Sequence, residues 1–237
     1  ATAASPALRT TVRTYPQHRA TVYELLFVDG AKQTNVSAPG APRAQHTMYG
    51  VNTDGVAPFA EFPVFDLSRG LAANLSWMTW HGGLQYHDTA KGTVDSGAGL
   101  YDTFLKNLTG LSGGPMVLFD ESAGQARPFP TAVVSPMSNI RLSAPLVRPA
   151  ASGGSGCSRK RAGPAEACLW SHGPSWELTS VPPGFVHRTL IVTGSDGIRP
   201  TMASWGDFLL AEFQTTRLRD PTLDMLGVFT DNVSPFV

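Results

Sequence analysis

The densest group of aromatic and imidazole side chains lies in the stretch WMTWHGGLQYHD, residues 77–88. Indole and phenol rings stack on the apolar faces of sugar rings, and neighbouring polar groups fix the orientation of the sugar. The stretch therefore predicts a carbohydrate platform, and packing in the core or at the edge of a β-sheet is the alternative. On a strand, alternation would place Met78, Trp80, Gly82 and Leu84 on one face. The candidate sugar contacts are Trp77, Trp80, His81, Tyr86 and Asp88.

Metal and acid–base chemistry have weaker signals. His81 and His87 are six residues apart, a spacing that matches no strong metal-ligand template. TVDSGAGLYD places Asp95 and Asp102 across a glycine-rich turn. Oxygen ligands in such loops can hold Ca²⁺, although the spacing departs from an EF-hand. Calcium is the one cofactor to consider, and otherwise none is expected. Residues 120–121, an Asp-Glu pair, end the apolar run PMVLF and either serve acid–base chemistry or face water.

Several function classes have no sequence support. Ser155 lies in GGSGC, which lacks the last glycine of a nucleophile elbow, and no phosphate-binding loop or dinucleotide fingerprint occurs. The formal net charge is zero, and the only dense basic run is SRKR at 158–161, so we expect no nucleic-acid partner. No apolar run approaches the roughly 20 residues of a membrane helix.

Asparagine placement indicates a secretory compartment. Four of the six asparagines open an N-x-Ser/Thr sequon, which is more than chance predicts. The chain begins ATAAS without methionine, as expected of a processed secreted protein. The predicted N-glycan acceptors are Asn35, Asn74, Asn107 and Asn232, the last weakened by the following Pro235.

The two cysteines, Cys157 and Cys168, would pair in a secreted protein. They lie in a Gly/Ser/Pro-rich stretch, which predicts a flexible, disulfide-stapled loop at about 149–168. The basic tract at 159–161 inside this loop is either a processing site or part of an uncut surface loop.

Short strands separated by glycine and proline dominate the rest of the chain. TVYELLFVDG, FAEFPVFDL, PMVLFDE, TAVVSP, NIRLSAPLV, SWELTSVP and HRTLIVTG read as strands of four to eight residues. Two segments have helical spacing, 100–108 and the longer 194–213, whose apolar stripe is Met202, Trp205, Leu209 and Phe213. We expect one mainly β domain over 1–237, a large antiparallel β-sandwich with one or two short helices near its C-terminal half.

The run WELTSVPPGFVHRTLIVTGSDGIRPTMASWGDFLLAEF, followed by LGVFTDN, resembles a junction in the glycoside hydrolases that include α-galactosidases and raffinose synthases. In that family an N-terminal β-sandwich leads through a strand and a helix into the first strand of a (β/α)₈ barrel. The resemblance covers about the last 60 residues and places Asp231 where the family has a substrate-contacting residue. Such a barrel needs about 200 more residues and holds its active site at the strand ends.

Two functions follow as expectations. The first is a non-catalytic domain of a secreted, extracellular glycoprotein, with a carbohydrate-binding role or a structural role at the cell surface or wall. Its partners would be carbohydrate or a glycoprotein surface. The alternative is part of an α-galactosidase-like glycoside hydrolase, with the catalytic barrel missing or supplied by a further polypeptide that covers the C-terminal end. Likeness of fold alone does not confer the chemistry.

Overall fold

The computed structural model describes residues 7–34, 47–48, 51–52, 59–66, 75–80, 89–93, 115–120, 129–149, 168–175 and 178–217. Within them the chain is mainly β with antiparallel sheets and has one α-helix, α1 (Ile198–Glu212), which confirms the predicted fold class. The strands are β1 (Leu8–Tyr15), β2 (Ala20–Phe27), β3 (Ala31–Lys32), β4 (Thr47–Met48), β5 (Val51–Asn52), β6 (Val64–Asp66), β7 (Leu75–Trp80), β8 (Thr89–Thr93), β9 (Met116–Asp120), β10 (Thr131–Pro136), β11 (Ser143–Pro149), β12 (Cys168–Pro174), β13 (Ser180–Val181) and β14 (Phe185–Gly194).

Seven strands form the large sheet, in the order β1-β2-β14-β10-β9-β7-β8. Every neighbouring pair is antiparallel. The register places Leu190 of β14 opposite Val22 of β2 and Ser135 of β10. Because side chains alternate along each strand, the sheet has two faces: β14 buries Leu190 and Val192 on one face and His187 and Thr189 on the other.

The helix α1 covers one face of this sheet. Phe208, which is 2% exposed, packs among Leu190 and Val192 of β14. Burying such a side chain contributes about 1.5–3 kcal/mol. In the predicted apolar stripe, Met202, Trp205 and Leu209 do pack against the sheet core. Phe213 is 52% exposed because the helix ends one residue earlier, at Glu212.

A smaller sheet, in the order β11-β12-β6, packs against the opposite face of the large sheet. Trp170 of β12 stacks on Phe65 of β6, with ring centroids 5.6 Å apart. Phe65 in turn meets Tyr23 of the large sheet edge-to-face at 5.7 Å. These aromatic contacts join the two sheets into a sandwich-like arrangement, each pair adding about 0.5–1.5 kcal/mol.

The predicted loop at 149–168 is the connection of a β-hairpin. Its first residue, Pro149, ends β11 and pairs in register with its last residue, Cys168, which begins β12. The residues between them, including Cys157, lie outside the described ranges. The disulfide, the flexibility of the loop and the single-domain extent 1–237 stay predictions.

Some predicted strands are shorter than expected. FAEFPVFDL contains only β6, because Pro63 has no backbone N–H for a ladder hydrogen bond. NIRLSAPLV begins with a 3₁₀ turn at Ile140–Leu142, which follows the left-handed Asn139. SWELTSVP contributes only Ser180–Val181. The predicted helix at 100–108 and the run LGVFTDN at 226–232 lie outside the described residues.

Candidate functional site

The candidate sugar platform begins on β7, the next-to-last strand of the large sheet as described. The backbone register places Trp77 opposite Leu118 of β9 on one side and opposite Gly92 of β8 on the other. Trp80 lies opposite Thr89 at the end of the same ladder. Both tryptophans therefore belong to a strand that pairs with the short strand β8, whose sequence is TAKGT.

Met78 shows which set of β7 positions faces the core. Its side chain packs against the cluster of Val117, Phe119 and Val133, on the side of the sheet that α1 covers. Positions 77 and 80, being three apart, belong to opposite faces of a regular strand. Position 80 lies on the same strand face as Met78, whereas position 77 lies on the other face.

The remaining predicted site residues lie outside the described ranges. This holds for the sugar candidates His81, Tyr86 and Asp88, for the calcium candidates Asp95 and Asp102, and for Asp231 of the family resemblance. It holds equally for the sequon residues Asn35, Asn74, Asn107 and Asn232. Their assignments stay predictions.

A second cluster, between the two sheets, was not anticipated from the sequence. Nδ1 of His172 on β12 lies 2.7 Å from Oγ1 of Thr189 and 3.3 Å from Nε2 of His187, both on β14. Oγ1 of Thr189 is also 3.3 Å from Nε2 of His187. The three polar groups thus form a closed triangle that links the small sheet to the large one.

Both imidazoles of this cluster are held neutral. Burial lowers the pKa of His187 to about 4. Burial, and secondarily the charge of His187, lowers the pKa of His172 well below its ordinary value of 6.5. Nδ1 of His187 and Nε1 of the neighbouring Trp170 are buried without a hydrogen-bond partner among the described residues.

A hydroxyl beside an imidazole is the pairing that activates a nucleophile. Here, however, Thr189 and His187 are fully buried and His172 is 5% exposed, so a substrate cannot reach them. The arrangement suits a structural link between the sheets. The sequence signal for it is slight: HRT in the predicted strand HRTLIVTG places His187 and Thr189 on one face, but their contact with His172 depends on how the sheets stack.

Trp205 of α1 was predicted to lie in the apolar stripe of the helix, and Asp207 is its near neighbour in the chain. Trp205 packs against the sheet, and its Nε1 donates a 2.8 Å hydrogen bond to Oγ of Ser135. Asp207 is exposed and pairs with Arg217 at 3.1 Å. The predicted packing of Trp205 is confirmed.

The described side chains contain no cluster of three or more His, Cys, Asp or Glu residues able to hold a metal ion. In the part of the chain for which the fold is given, no helix has the length and apolar character to cross a bilayer. Comparison of the chain with protein-family models, with curated proteins and with solved structures finds no match.

Proposed function

We propose that this protein is a non-catalytic β-sandwich domain of a secreted glycoprotein, and that it binds carbohydrate beside the edge formed by β7 and β8. The observation that carries the proposal is the register of β7, which sets Trp77 opposite Gly92. A glycine contributes no side chain at this cross-strand position, and indole faces are surfaces on which sugar rings stack. The candidate contacts are Trp77, His81, Tyr86 and Asp88, whereas Trp80 lies on the strand face of the core-packed Met78 and serves as the buried comparison.

Three of the described acidic side chains, Glu24, Asp196 and Asp207, have environments that suit a stabilising role rather than catalysis. Glycoside hydrolysis by the common route needs two carboxyl groups on either side of one bond. Glu24 is buried and tied to two arginines, and Asp196 and Asp207 are in exposed ion pairs. These carboxylates are in stabilising or solvent-facing positions. The ion-pair partner of each is arginine and not a second carboxyl group.

The second candidate is the sandwich portion of an α-galactosidase-like hydrolase. It is favoured by one observation: the long strand β14 is followed directly by α1, the order that the family resemblance implies. β14 is a central antiparallel strand, so the proposed barrel would have to begin beyond α1. An α-galactoside hydrolysis assay on the chain extended by any downstream reading frame tests this candidate, and turnover by the extended chain would favour it over the first.

A glycan-retention assay tests the first candidate. We expect Trp77→Ala to abolish retention on an immobilised glycan panel while the melting temperature stays close to that of the wild type. Trp80→Ala is the matched variant: its parity with Met78 predicts a loss of about 3–5 kcal/mol, as for a buried tryptophan. If the wild type retains no glycan, or if Trp77→Ala unfolds the protein, the binding role is wrong and a structural role remains.

The compartment needs its own test. Expressed in a secreting eukaryotic host, the native protein should lose mass on treatment with an N-glycan-removing enzyme, through glycans on Asn74 and Asn107 and also Asn35. An unchanged mass would remove the main support for a secreted glycoprotein.

A further inference from the structure

Among the described residues, the helix α1 covers only part of its side of the large sheet. Tyr15 of β1 packs on Phe208 of α1, which places the odd-numbered residues of β1 on this side. Two rows of the sheet lie beyond the helix: Thr11, Glu24 and Arg188 form one, and Arg9, Leu26 and Val186 form the next. The side chains of Arg13 and Arg188 are 50% and 34% exposed, and Arg9 is exposed. We call Arg9, Arg13, Glu24 and Arg188 the arginine face.

Glu24 holds two of these arginines in place. Its Oε2 accepts a 3.0 Å hydrogen bond from Nε of Arg188 and lies 3.5 Å from Nη1 of Arg13. The carboxylate itself is only 8% exposed, so it acts from beneath the guanidinium groups. Each ion pair uses one nitrogen of a guanidinium that carries five N–H donors, and both arginines therefore keep donors for another anion.

We infer that the arginine face binds a sulfate or carboxylate group of an acidic polysaccharide. Two arginines pair with one carboxylate here and a third, Arg9, lies in the next row of the sheet, in a chain whose formal net charge is zero. Pre-positioned guanidinium forks match the planar or tetrahedral oxygens of such groups. The half-buried Leu26 and Val186 lie beside the cations and provide an apolar floor for the hydrophobic face of a sugar ring. The choice of a glycan as the source of the anion rests on the proposed function.

Retention on dextran sulfate, with unsulfated dextran as the matched neutral polymer, tests the inference at about 0.1 M salt, where charges are screened beyond about 10 Å. The wild type should bind dextran sulfate and not dextran. Arg9→Gln and Arg13→Gln should each weaken binding roughly fivefold, the scale of one exposed charge-assisted contact. Arg9→Gln leaves the Glu24 ion pairs intact, so it remains informative if Arg13→Gln lowers stability.

Arg199→Gln is the matched control, because Arg199 is an exposed arginine at the start of α1, away from the arginine face. It should leave binding unchanged. Equal weakening by Arg199→Gln, or no binding of dextran sulfate by the wild type, would overturn the inference. Equal binding of polyglutamate, lost in the same variants, would overturn the glycan assignment in favour of an acidic protein partner. Failure of the proposed function gives a different result: the protein would show no Trp77-dependent retention on neutral glycans.

Discussion

His172 and His187 face each other across the interface of the two sheets, with Nδ1 of one 3.3 Å from Nε2 of the other and Oγ1 of Thr189 within 3.3 Å of both. When both rings are neutral, the hydroxyl of Thr189 and the imidazole nitrogens can act as hydrogen-bond donors and acceptors to one another. A proton added to either ring puts a charge into a site with no solvent access. The interface between the sheets should therefore be sensitive to acid.

The free energy of unfolding should fall as pH drops below about 6.5, the ordinary pKa of histidine. The folded-state pKa of His187 is lowered to about 4, so between these values the unfolded chain takes up a proton that the folded chain does not. The stabilisation from the neutral His187 is fully present above pH 6.5. The free energy of unfolding is lower by about 2 kcal/mol at pH 5, and the loss levels off at about 3 kcal/mol below pH 4. His172 adds to the loss in the same direction.

Chemical unfolding at pH 7.5 and pH 5 measures this loss. His187→Gln should flatten the pH dependence, whereas His18→Gln, at a half-buried histidine near Phe208, should retain it. A wild-type stability that is the same at both pH values would contradict the assignment of two neutral buried histidines.

Trp205→Phe removes the donor to the hydroxyl of Ser135, a residue that is 2% exposed. We expect a loss of about 1–2 kcal/mol, because a buried polar group is left without its partner. Adding Ser135→Ala should cost less in this background than in the wild type, with a coupling of about 1 kcal/mol in a double-mutant cycle. Purely additive losses in urea titrations would argue against the hydrogen bond.

Gly30 and Gly184 form a matched pair. Both have positive φ, +71° and +78°, and both donate their N–H to the carbonyl of Phe27. A Cβ at Gly30 would lie 2.5 Å from the carbonyl oxygen of Val181, whereas at Gly184 it would meet nothing within 4 Å. Gly184→Ala should therefore cost about 1 kcal/mol of backbone strain alone. Gly30→Ala should cost about 3 kcal/mol or more, and equal melting temperatures for the two variants would refute this reading.

The disulfide between Cys157 and Cys168 would clamp the hairpin of β11 and β12 near the start of β12. Alkylation without reduction, followed by mass measurement, should label neither cysteine. Cys157→Ser should lower stability by about 2–3 kcal/mol, since the unfolded chain regains the entropy of an open loop. Reduced wild type should match the Cys157→Ser/Cys168→Ser variant. Two alkylated thiols in the native protein would disprove the bridge.

The sequence by itself determined the local elements. Short β-branched runs between glycine and proline predicted β2, β9, β10 and β14, because alternation and turn chemistry act over a few residues. The helical period and Pro200 in the first turn predicted α1 in the same way. β1 was missed, since LRTTVRTY carries few apolar residues: as an edge strand it has only one neighbour and stays largely exposed.

Only the tertiary structure decided which residues meet. β14 pairs with β2, which lies far before it in the chain, and this pairing places Arg188 on Glu24 across 164 residues. The stacking of the small sheet on the large one brings His172 to His187, and the docking of α1 brings Trp205 to Ser135. Such contacts depend on register and on which faces are covered, and these are set by the collective burial of apolar surface. No local pattern encodes them.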